Sequence, residues 1–172
     1  MATGSNSSVR CNRVVDLHPA LAPLAPLLGT WSGRGSGDYP TIDPFDYVEE
    51  VVFGHVGKPF LTYSQRTRSP DGAPMHAEAG YLRVPADGRV ELVLAHPSGI
   101  AEIDEGTFSM AVGALVVQVS STSVTRTSSA KDVAALERSI TVAGDELHYT
   151  VRMGAVGQPL QHHLTATLFR QP

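Results

Sequence analysis

Cysteine is all but missing from this chain. The single one, Cys11, excludes an internal disulfide framework and a cysteine-rich metal site. No apolar run approaches the roughly 20 residues that cross a bilayer as a helix, so a membrane partner is not expected. A basic stripe with interleaved aromatics is also absent. The formal charge is −4 and the Arg and Lys residues are scattered singly, which argues against nucleic acid as a partner. There is no Gly-x-Ser-x-Gly elbow, phosphate-binding loop or dinucleotide fingerprint, so common hydrolase and nucleotide chemistries are excluded. Met1–Arg13 is rich in Ser and Asn and has no apolar core, unlike a secretory signal, and a cytoplasmic protein is the expectation.

What is present suits one globular domain: 172 residues, 42% hydrophobic and 17% charged. Residues 1–15 read as a flexible tail and 16–172 as the domain. Leucines at 17, 21, 24, 27 and 28 have helical spacing, but Pro19, Pro23 and Pro26 break a regular α-helix. A short helical cap, apolar side down over an opening, is expected there.

From Gly29 onward, strand-like segments alternate with turn signals. They are Thr30–Gly37, Phe45–His55, Pro59–Arg68, Pro74–Val84, Arg89–Ala95, Ile100–Met110, Ala114–Thr122, Lys131–Val142, Glu146–Met153 and Leu160–Arg170. Asp-Gly and Gly-Asp pairs between them are hairpin chemistry, because those positions must tolerate positive φ. Ten strands in meander order, with no crossover helices, predict an all-β fold: an antiparallel up-and-down barrel like those of lipocalins and fatty-acid-binding proteins. Ten strands enclose more space than side chains alone fill, so a ligand cavity is expected.

Two stretches carry the candidate chemistry. Gly29, Gly33 and Gly35 surround the only tryptophan, Trp31, and glycine within a strand points to a bend or a close backbone approach, with the tryptophan plugging one barrel end. The final strand carries adjacent histidines, His162 and His163, whose side chains must point to opposite faces of a regular strand. Alternation groups His162 with Leu164, Ala166 and Leu168, and His163 with Thr165, Thr167 and Phe169. An apolar-inward rule alone selects His162. His55, His76 and His96 lie at or beside turns, where surface positions are the default, and His148 sits within a strand and could face either way.

The Gly-x-Trp-x-Gly-x-Gly motif at Gly29–Gly35 resembles that of the nitrobindin family, in its mycobacterial form. The match continues through Gly37-Asp38-Tyr39-Pro40-Thr41-Ile42, Gly57-Lys58-Pro59-Phe60, Met75-His76-Ala77-Glu78-Ala79-Gly80-Tyr81, Ala130-Lys131-Asp132-Val133 and Pro159-Leu160-Gln161-His162-His163-Leu164. The resemblance implies one heme b per subunit, nitric oxide binding, and isomerisation of peroxynitrite to nitrate. It implies His163 as the proximal iron ligand and catalytic centre, with Thr41 beside the heme and Lys131 paired with a propionate. It assigns no second histidine to the far side of the heme. A homodimer and a heme-free carrier of fatty acid or another small hydrophobic ligand both stay open.

Overall fold

The computed structural model describes residues 15–172. Cys11 and the expected tail, apart from Val15, lie outside the described residues. A 3-10 helix, Pro19–Leu27, precedes ten strands: β1 (Gly29–Tyr39), β2 (Ile42–His55), β3 (Phe60–Arg68), β4 (Pro74–Ala86), β5 (Arg89–His96), β6 (Ile100–Ala111), β7 (Ala114–Arg126), β8 (Val133–Ala143), β9 (Glu146–Ala155) and β10 (Gln161–Arg170). Every strand pairs antiparallel with its chain neighbours, and β10 returns to β1, closing the barrel. The expected ten strands are all there. The bounds differ where ladders outrun residue propensity: β2 starts at Ile42, β7 continues to Arg126, and Lys131 stays in the loop before β8.

Up-and-down topology sends the turns after β1, β3, β5, β7 and β9 to one end of the barrel, and those after the even strands to the other. The even end is sealed by the 3-10 helix. Leu21, Leu24 and Leu27 recur every third residue, the period at which 3-10 side chains eclipse, and all three are fully buried. Trp31 is also fully buried, and its indole N–H donates to the Leu27 carbonyl at 2.7 Å. Arg170, at the end of β10, lies 4.2 Å over the Trp31 ring. Its guanidinium donates to the carbonyls of Leu28 and Pro26 and pairs with Asp145. Prolines remove donors from this helix, so side-chain bonds to its carbonyls hold it down.

The glycines of β1 are required by close approach. Gly35 pairs with Tyr47 and Gly37 with Phe45, and each aromatic ring lies where a Cβ would sit. At Gly33 a Cβ would strike the β10 backbone near Thr167. The core fills the sealed half, with Leu61, Leu115, Leu147 and Leu168 all buried. Among the described residues no helix is long and apolar enough to cross a membrane.

Candidate functional site

The odd end of the barrel opens into a cavity of about 690 Å³. Its wall is largely apolar, including Ile42, Phe45, Met75, Val151 and Met153, and Thr41, Lys131 and His163 also line it. Thr41 occupies the β1–β2 hairpin and Lys131 the β7–β8 loop, both exposed at the rim. The loop carrying Lys131 is tied to the β9–β10 turn, since the Val156 N–H donates to the Asp132 carbonyl at 2.8 Å. Val156 holds φ at +47°, a conformation β-branched residues rarely adopt.

His163 enters the cavity by a route that strict alternation does not contain. Between β10 and β9 the register steps by one: His162 pairs with Arg152, but Leu164 pairs with Val151. His163 is the extra residue of a β-bulge. Leu164, Ala166 and Leu168 therefore keep the inward face while His163 also turns inward, and His162 is exposed. The expected grouping of His163 with Thr165, Thr167 and Phe169, with His162 beside the leucines, is corrected by this bulge.

The ring of His163 is held on two sides. Tyr39 meets it edge-on at 5.2 Å between centroids and Phe45 at 6.5 Å. Its Nδ1 lies 3.3 Å from the Asp38 carbonyl, an atom that only accepts, so Nδ1 carries the proton and Nε2 keeps a lone pair. Burial lowers the pKa of His163 against the opposing pull of that carbonyl, which favours the neutral ring. Tyr39 also repairs the interrupted ladder: its hydroxyl accepts from the Ala155 N–H at 2.8 Å and donates to the Ala155 carbonyl at 3.2 Å.

The cavity floor is a buried polar layer. Arg138 reaches Glu102 at 2.7 Å, Asp104 at 3.1 Å and Glu78 at 3.3 Å. Glu49 accepts from Tyr149 at 2.7 Å and from Gln65 at 2.8 Å, and the Tyr149 and Tyr47 hydroxyls are 2.8 Å apart. Burial pushes Glu49 up to about 7 despite those two hydrogen bonds. Burial would raise Glu78 too, but the charge of Arg138, helped by His76 and His96, holds it at about 2. Burial also raises Asp104, with neighbouring Glu102 adding to the shift.

Sequence reasoning missed this layer, although a signal was present. Glu49 alternates in step with Tyr47, Val51 and Phe53, and Arg138 with Leu136, Ile140 and Val142, so each sits on an apolar inward face. The surface default is corrected for His96. Its side chain is only 8% exposed, whereas His76 is exposed as expected, although it lines the same cavity as His163. The physical reason is that strand ends at an open rim still alternate inward. His55 is half-buried, its Nδ1 enclosed without a hydrogen-bond partner among the described residues. His148 faces outward beside Thr167.

A family model for the THAP4-like, heme-binding β-barrel domain matches residues 20–170. Peroxynitrite isomerase 1 of Mycolicibacterium paratuberculosis is 65% identical over 157 residues, covering 91% of this chain and 98% of that protein. Peroxynitrite isomerase of Nocardia farcinica is 61% identical, covering 91% and 94% respectively. The crystal structure of Rv2717c from M. tuberculosis matches with a TM-score of 0.89 at 59% identity, covering 91% of this chain and 100% of that one.

Proposed function

Because the chain belongs to the family of THAP4-like, heme-binding β-barrel domains, we propose that it holds heme at the barrel mouth through His163 and isomerises peroxynitrite to nitrate there. The observation that carries this reading is the His163 ring itself. It is a neutral imidazole with its proton committed to the Asp38 carbonyl and its other nitrogen free, standing in an apolar cavity. That donor fits a heme iron, and the lysine at the rim fits a propionate.

When bound, the heme would supply Lewis-acid iron chemistry for the rearrangement of peroxynitrite to nitrate. The protein contributes position and environment. Tyr39 and Phe45 fix the plane of the His163 ring, and the Asp38 carbonyl fixes its tautomer. Lys131 supplies a cation for a propionate, and Thr41 supplies a hydroxyl beside it. The apolar wall favours a neutral diatomic, which supports nitric oxide as a second ligand. A fatty-acid carrier is disfavoured because an alkyl chain filling the cavity would end against buried carboxylates.

Peroxynitrite decay, followed with the protein far below substrate concentration, tests the reading. The hemin-loaded chain should give many turnovers to nitrate, and His163→Ala should give none above free hemin. Stoichiometric hemin binding without turnover would reject the isomerase assignment.

A further inference from the structure

The cavity holds a second set of donor atoms, on strands away from β10. His76 and Glu78 stand two residues apart on β4, and His96 ends β5. His76 Nε2 is 3.2 Å from His96 Nδ1, His96 Nδ1 is 3.3 Å from Glu78 Oε2, and His76 Nε2 is 3.9 Å from the same oxygen. Three donor atoms thus form a nearly closed triangle. A tetrahedral zinc with bonds of about 2.0–2.1 Å sets its ligand atoms roughly 3.3 Å apart. Two edges already match, and a small rotation of the exposed His76 ring closes the third.

The surroundings are those of a supported site. The other nitrogen of His96, Nε2, lies 2.9 Å from Glu102 Oε1, so its N–H donates to a buried carboxylate and Nδ1 keeps the lone pair free for a metal. This is the carboxylate–imidazole arrangement that orients metal-bound histidines. The Tyr63 hydroxyl donates to Glu78 Oε1 at 2.6 Å, which leaves Oε2 turned toward both histidines. Charge points the same way. Glu49, Glu78, Glu102 and Asp104 are all buried, and Arg138 is the buried cation among them. Glu102 Oε2 and Asp104 Oδ1 are enclosed with no hydrogen-bond partner among the described residues. Arg138 does not fill this need alone. Glu102 and Asp104 hold it more closely than Glu78 does, so Glu78 Oε2 can turn to a new cation.

We propose that His76, Glu78 and His96 bind one divalent transition metal of the zinc class, separate from the heme iron, with a fourth coordination position open to the cavity. Two imidazoles and a carboxylate are a donor set suited to zinc, cobalt(II) or iron(II), and unsuited to calcium or magnesium.

Cobalt(II) and zinc titrations of the chelator-stripped full chain test this, with and without hemin. One equivalent of cobalt should give the visible absorption of a four-coordinate ion, and zinc should bleach it. Because His76 is exposed, His76→Ala leaves the fold intact, and it should weaken zinc binding at least tenfold. His96→Ala and Glu78→Gln should do the same, while His163→Ala should leave metal binding unchanged. Zinc should also raise the melting temperature of the parent chain and not that of His76→Ala. Absence of stoichiometric uptake, uptake that survives the His76/His96 double replacement, or uptake lost in His163→Ala alone would overturn the assignment.

Discussion

His163 and Leu164 are neighbours in sequence, yet both face the cavity. One extra residue in β10 makes this geometry, and it lets the proposed iron ligand share the inner face with an unbroken apolar row.

The adjacent histidines should therefore separate cleanly. His163→Ala should abolish or shift the Soret band of the hemin complex and greatly weaken hemin retention. His162→Ala, at an exposed position, should leave the spectrum unchanged and alter stability by no more than about 0.5 kcal/mol. Absorption titrations and urea melts read both outcomes.

Lys131 should matter only for a cofactor with free carboxylates. Lys131→Ala should weaken binding of hemin several-fold and leave binding of its dimethyl ester unaffected. An equal loss with both would mean the lysine acts on the loop rather than on a propionate.

Glu49 sets a pH slope. It faces Tyr47, Tyr149, Gln65 and Glu78, and its folded pKa of about 7 stands above the ordinary 4.5. Between those values the folded chain keeps a proton that the unfolded chain has lost, so stability falls as pH rises from about 4.5 to about 7 and levels off above. The drop should be on the order of 3 kcal/mol. Asp104, also raised to about 7 by burial, adds to the same slope. Urea midpoints across this window should therefore slope less steeply in Glu49→Gln, and an unchanged slope would remove Glu49 from the account.

A methyl group on Gly35 would meet the Tyr47 ring. Gly35→Ala should lower stability by about 1–3 kcal/mol through overpacking. Gly54→Ala, whose Cβ meets only the Thr62 hydroxyl, should cost less in the same thermal melt.

At the sealed end, Arg170→Lys should lose the fork that spans the Pro26 and Leu28 carbonyls, at a cost of about 1–3 kcal/mol. Trp31 is the sole tryptophan, so its fluorescence reports the loosening directly.

Much of this architecture is legible in the sequence because hairpin turns announce themselves through Asp-Gly pairs and strands through alternation. The closed order of ten strands follows from those signals. The bulge at His163 does not, since an inserted residue leaves no compositional trace, and only the family pattern points to the histidine that faces the cavity. His96 illustrates a different limit. Proximity to a turn usually means exposure, but at a barrel rim the last inward position is still enclosed. Glu102 and Asp104 look like surface charges beside Glu105, and only their shared face with Ile100 distinguishes them. Burial of an acid depends on what stands opposite, here Arg138 from a strand more than thirty residues away.

The seam between β1 and β10 joins the first strand of the barrel to the last. A chain that stops before Gln161 has two unpaired strand edges and no His163 at all. With His163 as the proposed ligand, the cofactor site is complete only when the final strand docks, so heme capture becomes a readout of completion.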